Sequence, residues 1–235
     1  ILPSLTVAQN KGDFTIGPVF GVNYVTAVGD GIDSLKEQTE LYNAIDGVSS
    51  SGGIYSRIGL NAGFFFDYYF IDNIAFCTGL SYSQKGYLSK NSFEITIGHD
   101  SKMEEVIKVN LDYLDFPFLL KYHFNNGIEL SGGLLLSFLV SDRVLIESTK
   151  IYETTESSGN VITITEHDSD RDDYSDVVDD RDANLLLTGF QAGVSYTLKR
   201  LSFSLNLQRN SSFGGVVGKT SNQNITLQFC TGVSF

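Results

Sequence analysis

The chain has 235 residues and a formal net charge of −12, with 42% hydrophobic and only 19% charged residues. That acidic balance argues against nucleic acid as a partner, and no apolar run reaches the 18 residues or so that a transmembrane helix needs. The length fits one large all-β domain or two small ones, and 23 Gly, 17 Phe and 12 Tyr without a single Trp make a glycine-rich, aromatic composition.

Residues 1–13 are expected to be a signal-peptide remnant or an N-terminal arm. The apolar start closes on Thr6-Val7-Ala8 before Gln9, a small-residue cleavage pattern. An ordinary first strand or ordered arm fits the same residues. Helical periodicity is confined to one short candidate, Ser34 to Ile45.

Elsewhere the pattern has a period of two, and a β-strand sends successive side chains to opposite faces. The first segment runs from Phe14 to about Ala27, with Phe14, Ile16, Pro18, Phe20, Val22 and Tyr24 on one side. The second, Tyr55 to Tyr69, sets Ile58, Leu60, Ala62, Phe64, Phe66 and Tyr68 against Arg57, Gly59, Asn61, Gly63, Phe65 and Asp67. In the third, from Ile74, Phe76, Thr78, Leu80 and Tyr82 oppose Cys77, Gly79, Ser81, Ser83 and Lys85. The fourth, residues 111–124, opposes Leu114, Phe116, Phe118, Leu120, Tyr122 and Phe124 to Tyr113, Asp115, Pro117, Leu119, Lys121 and His123. The fifth, from Ile128, opposes Leu130, Leu134, Leu136, Phe138 and Val140 to Glu129, Ser131, Gly133, Ser137 and Ser141. Phe190 to Leu198, Leu201 to Gln208 and Asn224 to Phe235 alternate in the same way, giving eight strands.

The connections alternate in length. Ile71-Asp72-Asn73, Asn125-Asn126-Gly127 and Lys199-Arg200 are tight hairpins with suitable turn residues. The other four, about residues 28–54, 89–106, 148–183 and 212–220, are long. Short turns at one end and long loops at the other are the pattern of an up-and-down transmembrane barrel with both termini on the short-turn side. We therefore expect an all-β, eight-stranded antiparallel barrel over residues 14–235.

The alternative is a soluble, exported ligand-binding barrel, whose apolar faces would point inward. Eight polar outer faces would then carry many Lys and Glu, whereas these carry mostly Gly, Ser and Asn, as a crowded interior does. With the apolar faces in lipid, Arg57, Asp67, Lys85, Asp115, Lys121, His123 and Glu129 all point into the lumen. Buried charge is tolerated when paired and hydrogen-bonded, so an internal ion-pair network that plugs the barrel is expected.

The acidity is concentrated. Residues 147–183 hold four Glu and eight Asp against Lys150, Arg171 and Arg181, a net of −9. Within this external segment Asp168, Asp170, Asp172, Asp176 and Asp179 follow calcium-loop spacing, although Asp173 stands where the turn needs Gly and Asp179 replaces the bidentate Glu. Calcium is thus the one cofactor with a candidate site, and a solvated charge block or a protein-docking segment is the competing reading. "KIYETTESSGNVITITEH" and "FEITIGHDSKMEEVIKV" read as hairpins lifted above the membrane. Cys77 and Cys230 allow one disulfide, but strict bridge geometry favours two small buried free thiols. His99, His123 and His167 join no recognisable catalytic set, and GxSxG, HExxH and P-loop motifs are absent. No catalytic residue is assigned, and the chain is expected not to be an enzyme; an outer-membrane enzyme or a narrow channel remains the third class.

"YSQKGY", "YLDFPFLLKY", "GIELSGGLLLSFLVS" and the terminal "GVSF" resemble the PorT-type outer-membrane β-barrel family of Gram-negative bacteria. Tyr113-Leu114-Asp115-Phe116-Pro117 is similar to a Tyr-Leu-Glu-Ile-Pro pattern of that family, with Asp115 replacing the commoner Glu; the long acidic loop is a second departure. The alternation of Leu227, Phe229, Val233 and Phe235 resembles the signal that outer-membrane assembly machinery reads. The resemblance implies a bacterial outer-membrane location with periplasmic termini. Contact with outer-membrane lipid and a structural or accessory place in a secretion, motility or assembly complex of the envelope are the partners it implies.

Overall fold

The computed structural model describes residues 10–29, 44, 48–95, 101–155, 161–172, 186–210 and 222–235. In chain order the strands are β1 (Phe14–Gly29), β2 (Val48–Tyr55), β3 (Arg57–Ile71), β4 (Ile74–Ile95) and β5 (Ser101–His123). They continue with β6 (Ile128–Thr155), β7 (Val161–Asp172), β8 (Leu186–Leu198), β9 (Leu201–Asn210) and β10 (Asn222–Val233). Eight of them close an antiparallel ring, β1-β3-β4-β5-β6-β8-β9-β10, with β10 pairing back onto β1. Closure leaves no open edge in the ring, the condition for backbone to cross lipid.

Two strands lie beyond the eight that the periodicity shows. β2 occupies the end of the expected connection 28–54 and pairs with β4. β7 pairs with the upper part of β6, the two arms of the hairpin expected over residues 150–167, so ladder fills much of the acidic segment 148–183. β4, β5 and β6 also run further than the alternation does, to Ile95, from Ser101 and to Thr155. Alternation marks only the stretch where one face meets lipid. Above it the outer face is wet while the inner face of β5 turns apolar at Leu111 and Val109, so the ladder continues but the alternation that marks lipid does not. Residues 1–9 lie outside the described residues, as does the helical candidate Ser34 to Ile45 apart from Ala44, which sits in a turn.

The apolar faces point outward. Ile58, Leu60, Phe64, Leu120, Leu134 and Phe229 are exposed side chains on the barrel wall, while Asp67, Lys85, Asp115 and Glu129 are buried inside it. Along β5 the outer face reads Tyr122, Leu120, Phe118, Phe116 and Leu114 before turning polar at Asp112. That is about nine residues, the length of strand that spans a bilayer when tilted. Tight turns close the other end, with Asn73 and Lys199 at positive φ and Gly127 at φ 85°.

One bulge changes a face. Tyr113 pairs with Leu139 but Asp112 pairs with Ser141, so β6 gains a residue at Val140. An extra residue inverts the alternation beyond it. Val144 is consequently buried inside the barrel, and Arg143 faces out.

Candidate functional site: a lumen filled in three layers

At the short-turn end, side chains from β3, β5, β6 and β8 make a charged floor. Lys121 Nζ lies 2.6 Å from Asp67 Oδ2 and 3.7 Å from Glu129 Oε2. His123 Nδ1 is 3.1 Å from Glu129 Oε1, and its Nε2 is 2.7 Å from the Tyr69 hydroxyl. Ser195 and Thr197 donate to the two Glu129 oxygens at 2.9 and 2.6 Å. Glu129 thus gathers two hydroxyls, an imidazole and an ammonium, which is how a buried carboxylate is kept satisfied.

A polar middle layer follows. Lys85 Nζ lies 3.0 and 2.9 Å from the two Asp115 oxygens, and it sits 5.2 Å from the centre of the Tyr113 ring. Ser137 donates to Asp115 at 2.5 Å and accepts from Asn210 at 2.9 Å. Amides complete the ring of contacts: Asn23 donates to Ser83, Gln228 to Asn23, Asn206 to Gln228 and Gln208 to Gln191. A cavity of about 130 Å³ lies between floor and middle layer, lined by Asp67, Lys121, Glu129, Asp115 and Gln208 among others. It has room for several waters, natural partners for Asp67 Oδ1 and Gln208 Oε1, which have no hydrogen-bond partner among the described residues. Gly193 belongs to this crowding, because a Cβ there would stand 2.1 Å from Asn206 Oδ1.

The roof is apolar. Ala27, Tyr87, Val109, Leu111, Tyr113, Val144 and Leu187 form one buried cluster across the upper lumen, with Ile54, Ile107, Leu139 and Ile146 packed against it. This collar and the amide layer are absent from the sequence-based site. The collar does have a signal: Val109, Leu111 and Tyr113 share the parity of Asp115 and Lys121, so the polar face of β5 turns apolar near its upper end.

The seven charged residues expected to form one network divide three ways. Asp67, Lys121, His123 and Glu129 meet in the floor, and Lys85 and Asp115 pair separately above it. Arg57 joins neither. β3 pairs with β4 only up to Asn61 and Ser83, and β2 resumes the pairing at Tyr55 and Leu88. In that gap Arg57 Nη1 donates to the carbonyls of Lys85 and Val109 at 3.3 and 3.2 Å, standing in for missing ladder bonds. Gly86 lies opposite with φ 119°, a conformation that favours glycine.

Of the five calcium-spaced carboxylates, Asp168, Asp170 and Asp172 fall on the extended strand β7, and Asp176 and Asp179 lie outside the described residues. Among the described residues no group of three or more His, Cys, Asp and Glu is placed to hold a metal ion. Cys77 and Cys230 are free, buried thiols. Leu227 and Phe229 face outward on β10, and Phe235 exchanges backbone hydrogen bonds with Ile16 beyond it.

A closed antiparallel ring with a continuous apolar exterior and a filled polar interior defines a transmembrane β-barrel. The sequence agrees independently, since residues 7–232 match the model of the outer membrane protein beta-barrel domain; the chain belongs to that family, whose place is the bacterial outer membrane. No curated protein matches the chain. Among solved structures, the attachment invasion locus protein Ail of Yersinia pestis is 12% identical, over 96% of this chain and 99% of that one, with a TM-score of 0.35. Neisserial surface protein A is 11% identical, over 94% and 97%, with a TM-score of 0.38. OprG from Pseudomonas aeruginosa is 12% identical, over 97% and 98%, with a TM-score of 0.29.

Proposed function

We propose that the chain is a PorT-type barrel that serves as a structural or accessory subunit of a larger envelope assembly, with no catalytic role. The observation that carries this reading is the asymmetric wall above the apolar band. β4, β5 and β6 continue past the level of Asp112, and with β2 and β7 they build a five-stranded sheet on one side of the barrel. A lipid-embedded barrel needs no such extension for its own closure. The sheet carries ion pairs such as Lys108–Glu147 at 2.8 Å and Lys102–Glu104 at 2.6 Å on half-exposed side chains. A mixed-charge, hydrated β-surface of this kind suits a specific protein contact.

In this reading both termini lie in the periplasm and the tall sheet stands outside. The alternation from Leu227 to Phe235 engages the assembly machinery, and the acidic residues around Asp168 serve docking. The filled lumen supports a scaffold over a pore, because floor, amide layer and collar would all have to move before solutes passed. The test is native mass after extraction from its own membranes in mild detergent. A stoichiometric complex is expected, and a lone barrel in its micelle would overturn the subunit reading.

A further inference from the structure

Two arginines meet at the upper edge of the apolar band. Arg57 and Arg143 line one cleft of about 250 Å³ together with Gln84, Asn110 and Asp112. Asp112 pairs with Arg143 Nη2 at 3.3 Å, and its side chain is only 6% exposed. Arg57 spends Nη1 on two carbonyls, and no acid among the described residues lies within ion-pair distance of it. Among the described residues the cleft therefore holds two guanidiniums against one carboxylate, in a chain that is otherwise strongly acidic. Its volume exceeds several times the ~30 Å³ that a water occupies in the liquid, enough for a tetrahedral anion and its hydration.

The level of the cleft in the wall identifies its ligand. Gln84 and Asp112 are the first polar outward positions on β4 and β5 above the apolar band, and Arg143 follows Ser141 on the same face of β6. Immediately below them Ile58, Leu60, Tyr82 and Val140 present exposed apolar surface, Ile58 at 72%. Leu60 is joined to the cleft directly, its backbone N–H donating to Gln84 Oε1 at 3.3 Å. A ligand that satisfies both halves has an anionic head and apolar tails. Guanidinium is the side chain best matched to phosphate oxygens, through paired N–H donors. We propose that this cleft binds the phosphate of an anionic membrane lipid, with Arg57 and Arg143 on the head group and acyl chains along Ile58, Leu60 and Tyr82. The inference rests on the barrel being in a membrane, and it stands whether or not the chain joins a larger complex.

The test is native mass spectrometry of the whole barrel with dioleoyl phosphatidic acid, with dioleoylglycerol, which lacks only the phosphate, and with inorganic phosphate. Phosphatidic acid should be retained and dioleoylglycerol lost. Arg143→Gln should weaken retention roughly tenfold, the order expected for one charged hydrogen-bonded contact. Asp112→Asn should strengthen it by removing the competing carboxylate, and Lys102→Gln, on the tall sheet, should change nothing. Arg57 patches the ladder, so Arg57→Lys is the folding-safe probe there and should weaken binding less than Arg143→Gln. Equal retention of the two lipids, or of wild type and Arg143→Gln, would overturn the proposal. Inorganic phosphate binding as tightly as phosphatidic acid would keep the phosphate site but assign it to a soluble anion.

Discussion

Lys121 on β5 reaches over β4 to Asp67 on β3, closing to 2.6 Å between strands that are not neighbours in the ring. The strand it crosses presents Ala75 opposite Lys121 and Cys77 opposite Asp67, both small. Short side chains on the middle strand are what let an ammonium span two ladders in a narrow lumen.

Removing one partner of that pair should cost more than removing both. Lys121→Met leaves Asp67 and Glu129 without their cation, and breaking a buried pair costs about 3–5 kcal/mol. Because the Lys121 side chain keeps 13% exposure, the lower figure is expected. Urea unfolding in lipid vesicles checks this, with Asp67→Asn added to Lys121→Met recovering part of the loss. A double variant as unstable as the sum of the singles would mean that the two residues do not couple.

The collar should be the seal against ions. Leu111→Ala with Val144→Ala opens space among side chains that are 1% exposed each. Wild type should give no conductance steps in planar bilayers, and the double variant should give small ones. Truncating each buried aliphatic also costs roughly 1–5 kcal/mol, so heat-modifiable gel mobility must first show that the variant is folded. A folded variant that stays silent would place the seal in the amide layer and floor.

Depth in the membrane should decide the cost of an outward arginine. Leu134 pairs with Phe118 in the middle of the band, where Leu134→Arg is expected to destabilise by about 2–4 kcal/mol. Glu104→Arg, well above Asp112 on β5, should cost close to nothing beyond its lost partner. Vesicle unfolding of the two variants locates the band, and equal costs would contradict the placement.

Thiol chemistry should report folding. Cys77 and Cys230 are buried, with Cys230 Sγ 3.8 Å from Asn61 Oδ1. Maleimide should leave both unmodified in the folded barrel and label both in urea, read as a mass increase of two adducts. Labelling of either at the unfolded rate in vesicles would show a lumen more open than its packing implies.

On the tall sheet, the Lys102 ammonium holds the Glu104 carboxyl below its ordinary pKa of 4.5, first by a hydrogen bond and then by its charge. A depressed carboxylate contributes stability above its unfolded pKa and loses it as pH falls through the folded value. The Glu104 side-chain NMR titration should therefore have its midpoint below 4.5, and Lys102→Gln should raise it towards 4.5. An unchanged midpoint in that variant would remove Lys102 as the cause.

The barrel was legible in the sequence because lipid and lumen impose opposite chemistry on alternate residues. Phe118 and Leu119, or Phe229 and Cys230, declare their faces without any knowledge of pairing. The same logic placed Asp67, Asp115 and Glu129 inside, because a carboxylate cannot face acyl chains. It could not say that Lys85 answers Asp115 while Lys121 answers Asp67, since those pairings depend on strand neighbours, register and reach across the lumen. Nor could it show the turnover of β6 at Val140, where one extra residue sends Val144 into the collar and Arg143 to the outer face above the apolar band. Alternation is a local property, and one residue encodes it with its nearest neighbours. The ladder gap beside Arg57, the pairing of β2 with β4 and the cleft that joins Arg57 to Arg143 arise between segments far apart in the chain, and only strand pairing brings them together, whereas β7 returns on β6 as the local hairpin that residues 150–167 suggest.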